Sequence, residues 1–318
     1  MRKPGNKVAV IGAGNVGASC AFSLMHSGLV SDLLLIDQNA ERAVGEAMDL
    51  SHGLPFVPAV DIQAGDYGDL SDSDLVILTA GVGQKPGETR LDLLNHNAAI
   101  YREMIPEVVK RCPGAILLVV ANPVDVLTYV TIRESGLPVG RVIGSGTVLD
   151  SARLRYELSR HTQVDARNIH AYVLGEHGDT ELPAWSLASI AGQSMQEFCR
   201  NCDRCPGQMD DSVRGEIFSR VQRAAYEIIE RKGATYYAVA LAVRRICEAI
   251  LRDEHAILTV SSLLTGQFGL HQVCLSLPSI VGAEGIERTL PIELSDEEER
   301  AIRHSGDTLR EALASIGY

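Results

Sequence analysis

The stretch Gly12-Ala13-Gly14-Asn15-Val16-Gly17 constrains this chain more than any other. It follows the apolar run Lys7–Gly12 and opens the helical pattern Gly14–Ser27. In a strand–turn–helix of this kind, the first glycine allows the tight turn and the second lets the backbone approach a pyrophosphate. The third lets helix and strand pack closely. The helix N-terminus adds unpaired N–H groups and the positive end of a dipole. Asp37 closes the next apolar run, 20 residues past Gly17. A carboxylate there can accept both ribose hydroxyls of an adenosine and repel a 2′-phosphate. Gly12, Gly14, Gly17 and Asp37 therefore point to NAD rather than NADP.

The pattern continues in alternation. Leu33–Asp37, Leu75–Ala80 and Ile116–Asn122 are near-continuous apolar runs, as expected of parallel strands buried on both faces. Val60–Ala64 is a weaker strand and Val142–Ser145 a sixth. Helical patterns lie between them at Ala40–Ser51, Arg90–Arg111 and Val124–Ser135. This order predicts an α/β fold, a Rossmann-type doubly wound parallel sheet over residues 1–145. Residues 146–318 read as an α+β catalytic domain. Its helices are expected at Leu149–Ser159, Asp211–Arg231 and Tyr236–Leu251, its strands at His170–Gly175, Ala256–Leu264 and Gln272–Val281. A capped helix is expected from Ser295 to Ile316.

Composition narrows the partners. The net charge of −12 and 5% aromatic content make nucleic acid a poor partner. No apolar run reaches the roughly 18 residues that span a bilayer, so no membrane partner is expected. The polar start and the low density of the seven cysteines suggest a reduced, cytoplasmic protein.

Four further segments carry candidate chemistry. Gly81 to Arg90 is a Gly/Pro-rich loop leaving a sheet strand, suited to a hinged lid bearing Arg90. Asn122-Pro123-Val124-Asp125 ends another strand. Asp150 and Arg153 are three residues apart and share a helix face. Gly175-Glu176-His177-Gly178-Asp179 places a histidine between glycines. Each segment alone also suits an ordinary turn or surface pair. Together they suit reduction of a carbonyl beside a carboxylate: imidazolium supplies a proton, an acid raises its pKa, and arginine offers a planar clamp.

In these segments the chain resembles the lactate/malate dehydrogenase family over essentially its whole length. The resemblance implies His177 as proton donor/acceptor, Asp150 as its partner and Arg153 as the substrate clamp. It implies Arg90 as the lid arginine, Asn122 as a substrate hydrogen-bond donor and a cis peptide at Asn122–Pro123. It extends the cofactor contacts to Val16, Arg42, Tyr67, Gly81, Val120, Asn122 and Ser145. The implied reaction is reversible hydride transfer between NADH and pyruvate, giving L-lactate in glycolysis and fermentation. Gln84 and Thr235 favour this branch, since malate-specific members carry arginine at the position of Gln84. Malate and bulkier L-2-hydroxy acids, as in hydroxyisocaproate dehydrogenases, stay open as alternatives. Arg155 and His170 match positions that bind fructose 1,6-bisphosphate between subunits in bacterial members, which implies an allosteric homotetramer.

Cys199-Arg200-Asn201-Cys202-Asp203-Arg204-Cys205 contains two C-x-x-C spacings. A structural zinc needs four ligands, and no second cluster accompanies these three. The segment reads as a polar surface loop with reduced thiols, redox or metal roles being the alternatives, and no metal site is assigned.

Gln84 generates a specificity test. In Gln84→Arg, a guanidinium pairs the second carboxylate of oxaloacetate and faces the methyl group of pyruvate unpaired. The ratio of kcat/KM for oxaloacetate to that for pyruvate should rise. An unchanged ratio means that Gln84 does not face the substrate tail.

Overall fold

The apolar runs of the first half form a parallel sheet because helices cover both of its faces. The computed structural model describes residues 6–83, 90–203, 205 and 209–318. Its first six strands are β1 (Lys7–Ile11), β2 (Asp32–Ile36), β3 (Asp61–Ala64), β4 (Leu75–Leu78), β5 (Ile116–Val119) and β6 (Val142–Gly144). Leu75, Val76, Ile77 and Leu78 have no exposed surface at all. The helices between are α1 (Asn15–Met25), α2 (Ala40–His52), α3 (Arg90–Arg111) and α4 (Val124–Ser135). The strands lie in the order β3-β2-β1-β4-β5-β6 and run parallel. The order reverses between β1 and β4, which opens a crevice at the carboxyl ends of the strands.

Five of these strands end one to three residues earlier than the apolar pattern suggests. The leftover residues are Gly12, Asp37, Thr79–Ala80, Val120–Asn122 and Ser145. They sit at the carboxyl edge of the sheet, past the last residues in strand register, where the crevice opens.

The second half holds α5 (Val148–Thr162) and five two-residue strands: β7 (Ile169–His170), β8 (Val173–Leu174), β9 (Leu182–Pro183), β10 (Ser189–Ile190) and β11 (Gln193–Ser194). Then come α6 (Met195–Asn201), α7 (Asp211–Lys232), α8 (Tyr237–Leu251), β12 (Ala256–Thr265), β13 (His271–Gly282), β14 (Gly285–Thr289) and α9 (Asp296–Ser315). The single strand expected at His170–Gly175 is instead β7 paired with β10 and β8 paired with β9. Side chains of α5 explain the break. Ser151 Oγ accepts from Val173 N at 2.9 Å, and Thr147 Oγ1 donates to Val173 O at 2.5 Å. These bonds satisfy backbone groups that a continuous ladder would otherwise hold. The expected capping box at α9 forms, with Ser295 N donating to Glu298 Oε2 at 2.9 Å and Glu298 N to Ser295 Oγ at 3.3 Å.

The strands of the second half do not form a sheet apart. β12 pairs antiparallel with β6 at Ser261–Gly144, and β13 and β14 follow, giving one nine-stranded sheet. The core crosses residue 145 as well. Val8, Val10, Leu33 and Leu35 share an apolar cluster with Ala240, Val243 and Ile246 of α8. A cluster on the opposite face joins Leu117 and Val119 to Leu275, Ile302 and Leu309. Among the described residues, no helix is long and apolar enough to cross a membrane.

Candidate active site

The glycine turn folds as its sequence demands. Gly12 has φ +103°, and a Cβ there would lie 2.6 Å from Ala80 N. A Cβ on Gly17 would collide with Gly12 O. A Cβ on Gly14 would meet nothing within 4 Å. The first and third glycines therefore serve packing, while the second borders open space. Gly14 caps α1 without a side-chain bond, and the first turn of the helix carries no acidic residue. This end of α1 suits an anionic pyrophosphate. Asp37 stands beside it, its Oδ2 accepting from Ala13 N at 2.7 Å and its Oδ1 from Asn39 N at 2.9 Å. Carboxylate oxygens keep further lone pairs after such bonds, so Asp37 is held in place with acceptor capacity left for a ribose.

The other expected cofactor and substrate residues fall at the following places. Gly81 is exposed and Val120 is 8% exposed at the ends of β4 and β5. Ser145, half-buried past β6, donates its N–H to Val119 O at 2.8 Å. Val16 is half-buried in the first turn of α1. Arg42 is exposed on α2, 3.9 Å from Glu46. Tyr67 is half-buried in a short 3-10 turn after β3. Thr235 is half-buried just before α8. The Asn122–Pro123 bond is cis, as the resemblance implies. Gln84 lies outside the described residues, as does the side chain of Arg90.

His177 and Asp150 converge from separate elements. Gly175, at φ +89°, packs so closely on α9 that a Cβ would sit 2.9 Å from Ser305 Oγ. Glu176 N then donates to Ser305 Oγ at 2.6 Å, and His177 N to Asp125 Oδ2 at 2.7 Å. Asp125, on the first turn of α4 and 2% exposed, also accepts from Ser261 Oγ at 2.5 Å. The imidazole is thus held by its backbone before its ring makes any contact. Its Nδ1 donates to Asp150 Oδ2 at 2.6 Å, and Arg153 Nη1 donates to Asp150 Oδ1 at 2.8 Å. Asp150 is 1% exposed.

The electrostatics follow from this packing. Burial pushes the imidazole pKa of His177 down, but the charge and hydrogen bond of Asp150, with Asp125 and Glu181 beyond, raise it to about 9. Burial works against the Asp150 charge, yet His177 and Arg153 hold its pKa below the ordinary carboxylate value. At neutral pH this pair is an imidazolium on a carboxylate, with a guanidinium alongside.

Two residues of the site escaped the sequence reading. Asn97, on α3 and 1% exposed, receives Val82 N at 2.8 Å and donates to Asn122 O at 2.8 Å. It ties together the loops after β4 and β5, and its place in an amphipathic helix gave no signal. Glu181 is 7% exposed, and its carboxylate, the His177 ring and the Asp150 carboxylate lie within 4.8 Å of one another. Burial, then the Asp150 charge, push its pKa up to about 8, against His177 and Arg153. An acid four residues after His177 carries no pattern that marks it as part of the site.

A nucleotide crevice and a separate imidazolium–carboxylate–guanidinium array, on one side of a doubly wound sheet, define a dinucleotide-dependent oxidoreductase. The relatives narrow the class. Residues 6–144 match the lactate/malate dehydrogenase NAD binding domain, and residues 147–316 match the lactate/malate dehydrogenase α/β C-terminal domain. The chain belongs to the lactate/malate dehydrogenase family, and its cofactor is NAD. It is 58% identical over 310 residues to L-lactate dehydrogenase of Acetivibrio thermocellus, covering 98% of this chain and 97% of that one. It is 55% identical over 315 residues to L-lactate dehydrogenase 1 of Clostridium acetobutylicum, covering 99% of both. A crystal structure of a lactate dehydrogenase from a Medee basin deep-sea metagenome library superposes with a TM-score of 0.94 at 43% identity over 100% of both chains. The minor L-lactate dehydrogenase of Enterococcus mundtii, in a ligand-bound form, gives 0.94 at 41% identity over 99% of both.

Glu181 generates a test at this site. Above the pH where Glu181 ionises, its charge helps His177 keep its proton. Glu181→Gln should therefore move the alkaline limb of kcat/KM for carbonyl reduction to lower pH, while the plateau at lower pH persists. A superimposable profile would mean that Glu181 does not act on the imidazole.

Proposed function

We propose that the chain is an NAD-dependent L-lactate dehydrogenase, reversibly reducing pyruvate to L-lactate. The observation that carries this reading is the array of His177, Asp150 and Arg153. Nδ1 of His177 is committed to Asp150, which leaves Nε2 to face the substrate carbonyl. With a pKa near 9 the ring holds its proton at neutral pH and releases it to the oxygen as the alkoxide forms. Asp150 stabilises the imidazolium and fixes its tautomer. Arg153 uses one of its five N–H donors on Asp150 and has others left for a two-point grip on the substrate carboxylate. NADH, when bound, would supply the hydride for the carbonyl carbon. Residues 1–145 hold the dinucleotide, and residues 146–318 supply the proton and the clamp. The resemblance gives Arg90 the role of polarising the carbonyl and Asn122 that of donating to it, and the identities of Gln84 and Thr235 suit a small apolar tail. This reading places the activity in the cytoplasm, in glycolysis and fermentation.

The test is steady-state reduction of pyruvate, oxaloacetate and 2-oxoisocaproate with NADH. Pyruvate should give the highest kcat/KM, and preference for either other acid replaces this reading with a relative of it. In His177→Ala, pyruvate turnover should fall on the order of 10²–10⁴-fold with NADH binding retained. Near-normal turnover would remove His177 from the chemistry.

The same reading includes a homotetramer activated by fructose 1,6-bisphosphate through Arg155 and His170 of facing subunits. Arg155 turns away from Arg153 on α5, and its Nε donates to Ser151 O at 3.3 Å. Burial lowers its pKa, Tyr172 opposes this and Arg245 adds to it. His170 is exposed on β7. Such a half-buried cation beside another gains from a bisphosphate. The effector should lower the apparent KM for pyruvate in wild type and leave Arg155→Gln unchanged. An unresponsive wild type removes the effector, and an equally responsive variant places its site elsewhere.

A further inference from the structure

The cysteine segment departs from the polar surface loop expected of it. Cys199, in the last turn of α6, is 4% exposed and packs with Leu158, Met195, Met209 and Ile217. Cys202 caps the helix, its N–H donating to Cys199 O at 3.4 Å. Cys205 is half-buried, and its thiol is hydrogen-bonded to those of both Cys199 and Cys202. The Cys205–Cys199 Sγ separation is 3.7 Å. The sequence offered no fourth ligand, but the fold supplies one. His161, in the last turn of α5, brings a ring nitrogen to this cluster. That nitrogen and the sulfurs of Cys199 and Cys205 all lie within 4.8 Å of one another.

We propose that His161, Cys199, Cys202 and Cys205 form a structural zinc site that staples the α6–α7 connection to the end of α5. The donor set is chemically specific. Three thiolates and an imidazole are a zinc set, whereas calcium and magnesium take oxygen ligands. An iron–sulfur cluster usually takes four cysteines. The Cys199–Cys205 separation suits the metal. Zinc–sulfur bonds of about 2.3 Å on a tetrahedron put neighbouring sulfurs about 3.8 Å apart. A disulfide would bring them to about 2.05 Å, far below the 3.7 Å observed.

Zinc binds by taking the place of the thiol protons. Binding releases three protons, one from each thiol, and converts the set to a tetrahedral complex of net charge −1. No oxidation occurs, and the four ligands close the coordination shell without a place for water. The site is remote in role from the dehydrogenase array, but it lies on the same helix. α5 carries Asp150 and Arg153 near its start and His161 at its end. The staple therefore fixes the far end of the helix that presents the acid and the clamp.

The experiment uses the full chain without an affinity tag, purified under reducing conditions and equilibrated with zinc chloride. After gel filtration, zinc per chain, reactive thiols and the cobalt-substituted spectrum are measured. The expected result is one zinc per chain, with three thiols protected until a mercurial displaces the metal. Cobalt should show thiolate charge transfer and the intense d–d bands of a tetrahedral site. Cys202→Ser, Cys205→Ser and His161→Ala should each lose zinc on the column, and zinc should raise the Tm of wild type but not of Cys205→Ser. Wild type that emerges metal-free with its thiols reactive overturns the proposal. So does a cobalt spectrum without sulfur charge transfer, zinc retention by Cys205→Ser equal to that of wild type, or a disulfide within the cluster in place of metal. The wild-type spectrum decides the matter even where a variant fails to fold.

Discussion

Asp150 is the point on which the site depends. A carboxylate 1% exposed has almost no water to solvate it, and an isolated charge so placed would be neutralised by protonation. It stays ionised because two cations, His177 and Arg153, each take one of its oxygens. The consequences run both ways. The acid raises the pKa of the imidazole, and the imidazolium and guanidinium together outweigh the acid by one positive charge. That surplus is what a monocarboxylate substrate would balance. Loss of either partner leaves a buried, half-paired ion, which costs more than the missing bond itself.

The scaffold exists to bring those three groups together. His177 and Asp150 are 27 residues apart, on a loop and a helix with no local reason to meet. Thr147 and Ser151 tie the start of α5 to the backbone of Val173, and Asp125 ties the backbone of His177 to α4 and, through Ser261, to β12. Three elements from both halves of the chain therefore converge on one ring. Every polar group in this brace is buried and matched with a partner, which is the condition under which a buried network rigidifies a site.

Much of this was legible in the sequence, and the rest fails for identifiable reasons. Strands buried on both faces write themselves as unbroken apolar runs, so β1, β2, β4, β5 and β6 were visible. The glycines of the first turn were visible because Gly12 and Gly17 have no space for a Cβ. Asp150 and Arg153 were visible as a pair because helical spacing is local. Asn97, Glu181 and His161 were not. Asn97 and His161 act through neighbours distant in sequence, Val82 and Asn122 for the first and Cys199 and Cys205 for the second, while Glu181 meets His177 and Asp150 only through the fold of the loop between them. The expected strand at His170–Gly175 failed similarly, since hydroxyls from α5 take over its backbone bonds. The joining of β12 to β6 rests on pairing across more than a hundred residues, which no local pattern encodes.

That junction has a consequence for how the chain is made. When the ribosome has delivered the first 145 residues, β6 is a bare edge strand and Val8, Val10, Leu33 and Leu35 still await α8. An emerging edge of this kind is a template for mispairing with another nascent chain. The dinucleotide half is then complete in sequence but incomplete in packing. Native closure comes only after residues 237–251 and 256–265 have been synthesised. Slowing translation ahead of them would lengthen the exposure of this edge and of the apolar face that α8 covers.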